Sequence, residues 1–238
     1  GGTDAGSAAA ADRRLSFRPI PPDLLRNDEA TDLEGVRAAP DERLVDPSAV
    51  GADAEVALRE ALVALRRDPD DLAASRREVM SLLALGRDRA GLAALEELER
   101  RHGEDPSALL LLGSVALRRG RYDDADALFT RAIDRDPRHV EALRHRGVLR
   151  RRMGRTRDAY DDLVRVLAID PDDLGALAEM TEIFRRADRG EDAVPFLRRT
   201  LENEPTNADA WTSLSIALGR SSSPAPIEEA IVAIERAI

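Results

Sequence analysis

Three histidines, several adjacent carboxylates and one dense run of arginines are the residues of this sequence that could do chemistry. Histidine suits general acid–base catalysis and metal ligation near neutral pH. His102, His139 and His145 lack the company that either role needs. His139 and His145 are six residues apart, which puts them on different faces of a helix, and no His-Glu-x-x-His spacing occurs. His145 follows Glu141 by four, the interval of a surface helix pair. The chain has no Cys, which excludes disulfides, thiol nucleophiles and thiolate metal sites. No Gly-rich phosphate loop is present. Asp123/Asp124 and Glu228/Glu229 fall where helices should begin, and read as first-turn charges that suit the helix dipole rather than as acid–base dyads. The expectation is a non-catalytic protein with no cofactor and no metal. The arginine run is LRHRGVLRRRMGRTR (143–157), basic in a chain whose formal net charge is −10. No aromatics interleave to stack bases, so it reads as a solvated helix face rather than a nucleic-acid surface.

The elements that carry these residues are helical. Aromatics make up only 3% of the 238 residues, against 43% hydrophobic and 34% charged. That composition, rich in Ala, Leu, Arg, Asp and Glu, suits closely stacked helices better than a β-rich core. All 36 basic residues are Arg. No run approaches the ~18 apolar residues of a membrane span.

A 34-residue period orders the helices. Gly86, Gly120 and Gly154 keep it, as do Ala125, Ala159 and Ala193, and Pro137, Pro171 and Pro205, with Pro69 two periods before Pro137. The stretch GRYDDADALFTRAIDRDP (120–137) shows one half-unit. Tyr122, Ala125, Leu128, Phe129 and Ala132 form an amphipathic stripe, and Asp-Pro ends it. Each Pro is expected to open a helix in its first turn, and each Gly to separate two helical halves.

These residues resemble the tetratricopeptide repeat family, whose unit is a 34-residue helix–turn–helix. Residues 106–139 match best, through Leu109, Leu112, Gly113, Ala116, Gly120, Tyr122, Ala125, Phe129, Ala132 and Pro137. The register continues over 140–173, 174–207 and 208–238, and it is weakest over 72–105, where Glu78 stands at a position that is usually Leu. The resemblance covers about 54–238 and implies an all-α, right-handed α-solenoid. It also implies a concave groove, lined by the first helix of each unit, that binds a peptide or a partner helix.

Carried over by residue, the groove contains Ala73, Arg76, Met80 and Leu83, then Ser107, Leu110, Ser114, Leu117 and Arg118, then Glu141, Arg144, Val148, Arg151 and Arg152, then Gly175, Ala178, Glu182, Arg185 and Arg186, then Asp209, Thr212, Ile216 and Arg220. An apolar strip flanked by Arg suits a protein or peptide partner with carboxylates beside hydrophobic side chains, which Arg can grip bidentately. Ser114, Val148 and Glu182 stand where some family members carry Asn to clamp a chaperone's C-terminal carboxylate, so chaperone capture is not expected. Arg146 and Arg150 fall where the family packs apolar side chains.

Residues 1–53 read as an irregular arm ahead of a solenoid over 54–238. Helix 54–67 resembles the second half of a unit, and its apolar residues spread over more than one face, so part of the arm should cover it. Within the arm, Phe17, Ile20, Leu24 and Leu25 form a candidate self-docking segment among prolines that favour an extended path. The function expected is that of a bacterial protein–protein interaction scaffold or assembly factor. The alternatives are a regulatory or targeting domain of a larger enzyme and a membrane-tethered lipoprotein assembly factor, and the compartment expected is the bacterial cytoplasm or periplasm.

Overall fold

The computed structural model describes residues 52–219; Phe17, Ile20, Leu24 and Leu25 lie outside them, as do Arg220, Glu228 and Glu229. Among the described residues there are ten α-helices and no strand. They are α1 (Ala52–Arg67), α2 (Leu72–Ala84), α3 (Asp88–His102), α4 (Pro106–Arg118) and α5 (Tyr122–Arg135). The rest are α6 (Val140–Arg152), α7 (Thr156–Ile169), α8 (Leu174–Arg186), α9 (Gly190–Asn203) and α10 (Ala208–Gly219). One compact unit runs to Arg146 and a second begins at Gly147, so α6 contributes to both.

The punctuation of the helices repeats with the sequence period. Gly86, Gly120 and Gly154 have φ of +67°, +72° and +75°, a region where a side chain is strained and Gly is not. Each closes the same helix end. The amide of the residue after the glycine donates five residues back: Arg87 to Leu82, Arg121 to Ala116 and Arg155 to Arg150, at 2.8–3.0 Å. That is the Schellman pattern, and it satisfies carbonyls the helix leaves open. One period after Gly154 stands Asp188, also left-handed at φ 55°, with Arg189 donating to Phe184 at 2.9 Å. A non-glycine residue is costly there. Asp188→Gly should therefore raise the stability read from urea unfolding by about 0.5 kcal/mol, and Gly154→Ala should lower it by about 1 kcal/mol. Equal effects of the two would show that backbone strain does not govern these turns.

Helix starts repeat as well. Asp71, Asp105, Asp173 and Asn207 each accept a hydrogen bond from the backbone amide three residues on, at 2.8–3.2 Å. His139 takes the same place in the series, its Nδ1 3.3 Å from the amide of Ala142. The prolines behave differently from the expectation. Pro69, Pro137, Pro171 and Pro205 sit in the turns, ahead of helices that begin at Leu72, Val140, Leu174 and Ala208; Pro106 is the one that occupies a first helical turn. Turn prolines stiffen the approach, and the side-chain caps two residues later start the helices.

In the first unit the core is built from Val79, Leu95, Leu98, Ala108, Leu111, Leu112 and Val115. Phe129 is fully buried and lies against Gly113, where an added Cβ would come within 2.5 Å of its ring. In the second unit Gly147 plays the same part under Leu163, at 3.2 Å. There Tyr160, Phe184 and Phe196 form an aromatic column, edge-on at 6.3 Å and then stacked at 5.5 Å.

The arginines at the apolar positions of α6 are satisfied from neighbouring helices. Arg146 is buried and donates to Thr130 Oγ1 at 2.9 Å. Arg150 donates to Asp162 at 3.0 Å, and that carboxylate is itself buried. Polar ties also cross from each second helix back to the preceding turn. Arg131 and Arg135 hold Glu104, and Arg199 and Asn203 hold Asp172. Such exposed pairs contribute little each, so the apolar core carries the fold.

Candidate functional site

The first helices α2, α4 and α6 bring one face of each to a concavity of about 480 Å³ inside the first unit. Helix α2 supplies Ala73, Arg76, Met80 and Leu83 at intervals of three and four, with Arg77 beside Arg76. Helix α4 supplies Leu110, Leu111, Ser114, Val115 and Arg118, and the first turns of α6 supply Glu141 and His145. The floor is apolar and the polar groups stand among it, the usual make-up of a ligand cleft.

Its polar groups differ in how far they are committed. The Ser114 hydroxyl donates to the Leu110 carbonyl at 2.8 Å and lies 3.5 Å from Nδ1 of His145. The His145 ring meets Phe129 edge-on, with centroids 5.7 Å apart. His145 is thus half-buried, with its ring against Phe129. Arg77 reaches Glu60 only at 4.0 Å. Arg76 and Arg118 have no carboxylate partner among the described residues.

Of the residues singled out in the sequence, the structure brings together Ala73, Arg76, Met80, Leu83, Leu110, Ser114, Arg118 and Glu141. It adds Arg77, Leu111, Val115 and His145, which stand one helical position beside or one turn beyond those residues. A lining face is wider than a single stripe, and that width is the signal that would have found them. Arg144 is half-buried on α6 and is not among the lining residues.

In the second unit the chosen arginines are already engaged. Val148 is buried. Arg151 pairs with Glu179, and Arg152 is half-buried. Arg185 and Arg186 both bind Glu182, at 2.6–2.7 Å. Burial pushes the Glu182 carboxyl up, but hydrogen bonds from Arg185 and Arg186 outweigh it and bring the group down to about 2. Elsewhere, burial raises the Glu78 carboxyl, and the charge of Glu97 adds to the effect. Among the described residues no group of three or more His, Asp or Glu is placed to hold a metal ion. No helix of the described residues is long and apolar enough to cross a membrane.

Sequence profiles described as tetratricopeptide repeat match residues 76–127 and 110–173, and a second such profile matches 150–215. No curated protein matches the chain. Among solved structures, PilW, a widely conserved type IV pilus biogenesis factor, is similar with a TM-score of 0.62 at 18% identity, over 77% of this chain and 85% of PilW. YrrB, a TPR protein with an unusual peptide-binding site, gives a TM-score of 0.58 at 16% identity, over 75% and 90%. A thermophilic TPR protein in Thermus thermophilus, TTC0263, gives 0.56 at 21% identity, over 70% and 91%. At these identities the likeness is one of fold, an all-α solenoid of helix–turn–helix repeats.

Proposed function

The chain belongs to the tetratricopeptide repeat family, and from that premise we propose that it is a non-catalytic scaffold that captures an acidic, apolar peptide or helix in the concavity of its first unit. The observation that carries this reading is the pairing of an apolar floor with two uncommitted arginines. Met80, Leu83, Leu110 and Val115 offer apolar contact, and Arg76 and Arg118 lie in the same lining with no carboxylate partner among the described residues. A guanidinium without a partner in an apolar cleft favours a ligand that brings a carboxylate to it. Met80 and the leucines adapt to the hydrophobic side chain beside it. By the same reasoning the second unit is a weaker candidate, because Arg151, Arg185 and Arg186 already hold Glu179 and Glu182.

Tetratricopeptide repeat proteins bind protein or peptide partners, and the acidic and apolar character of this partner follows from the lining alone. Selection of displayed random dodecapeptides against the full chain should enrich Asp or Glu next to Leu, Ile, Val or Phe. Arg76→Glu with Arg118→Glu should weaken the selected peptides by tenfold or more, with helicity and melting unchanged. Peptides with no acidic bias, or full affinity in that folded double variant, would end this reading.

A further inference from the structure

We infer that the outer face of α1 is the docking site of the chain's own segment 13–25. Helix α1 buries Ala54, Leu58 and Ala61 on one side. On the opposite side Val56 is 50% and Val63 48% exposed, two turns apart, with Leu62 at 41% on the flank. A surface helix keeps polar residues on its solvent side. Here Val56 and Val63 stand there, with the exposed Arg59 and Glu60 beside them, on the first described helix, and α2 packs against the other face.

The extent of the strip decides what covers it. Three half-exposed side chains fall far short of the roughly 800 Å² per partner that a stable interface between separate chains buries. A tethered segment needs much less, because its effective concentration reaches about the millimolar range. Residues 1–51 run directly into Ala52, at the end of α1 nearest Val56. Within them the stretch 15–25 is densest in large apolar residues, with Leu15, Phe17, Ile20, Leu24 and Leu25. The stretch from Leu25 to Ala52 has a coil span of about 30 Å, close to the ~24 Å length of a 16-residue helix. The arm therefore supplies the layer that α1 otherwise lacks, and the concavity between α2, α4 and α6 stays open to a partner.

Hydrogen exchange on the full chain tests this. In the variant with Phe17, Ile20, Leu24 and Leu25 each changed to Asp, amides 56–63 should exchange at least tenfold faster than in the wild type. Unchanged exchange overturns the proposal. Because the chain has no Cys, Val63→Cys with Ile20→Cys provides a second reading. Mild oxidation should close a disulfide within one chain, at a rate independent of protein concentration. Linkage only between chains would assign the face to a second copy. Faster closure with Met80→Cys in place of Val63→Cys would put the arm in the concavity. Either result overturns the assignment.

Discussion

Phe129→Ala should destabilise the first unit by about 3–5 kcal/mol, the range for deleting a fully buried aromatic. Phe129 has no solvent exposure and is among the largest fully buried side chains. It fills the space opened by Gly113 and presents its ring to the edge-on His145. Solenoid stability is a sum of repeat and neighbour-interface terms, so the loss should be local. Hydrogen exchange should accelerate most in α4 and α5. The fit to Gly113 gives a sharper test. Gly113→Ala alone should cost about 1–3 kcal/mol, because the added methyl meets the ring at 2.5 Å. In the Phe129→Ala background the same methyl enters vacated space and should cost much less, a coupling that a double-mutant cycle reads directly. Additive losses would mean that the glycine is not there for the phenylalanine. Phe129 also sets the ring of His145, so its loss should weaken ligands of the cleft as well as the fold.

The period of 34 was legible because a unit cannot bury its apolar face alone. The residues that reverse the chain and those that press helices together must recur in phase. Gly86, Gly120 and Gly154 show this, and Asp188 keeps their backbone conformation one period on without keeping the residue type. The caps were equally periodic, but Asp71, Asp173 and Asn207 stood behind the more visible prolines two residues earlier, and Asp105 stood directly before Pro106. The clamp of Arg185 and Arg186 on Glu182 was also readable, being an i+3 and i+4 pair on one helix. Pairing between helices was not. Periodicity assigns a residue to a face, and it does not say which side chain of a neighbouring helix arrives there. Thr130 sits 16 residues before Arg146, and Asp162 sits 12 after Arg150; neither spacing is a helical repeat. For the same reason the sequence could nominate Arg76, Arg118, Arg151, Arg185 and Arg186 together. The folded chain then shows that Arg151 holds Glu179 from another helix, which no spacing announced.

Asp162→Ala should cost about 3 kcal/mol, although it removes a single charge from an acidic chain. The Asp162 side chain is 3% exposed and that of Arg150 14%, with 3.0 Å between their charged atoms; Arg165 approaches the same carboxylate at 3.9 Å. On the surface such a pair would contribute at most about 1 kcal/mol. Inside, the desolvation of both ions is already spent. Removing the acid leaves that cost in place and takes away the attraction that offset it. Arg150 stands at a position of α6 that the repeat otherwise packs with apolar residues, so the pair replaces a hydrophobic contact. If that is its role, Arg150→Met with Asp162→Leu should recover most of the lost stability, since both charges leave together and apolar volume returns. The urea midpoint of the second unit's transition reads both variants. Full stability in Asp162→Ala would show that solvent reaches Arg150 easily. A double variant no better than the single would show that the pair selects a geometry that apolar side chains cannot reproduce.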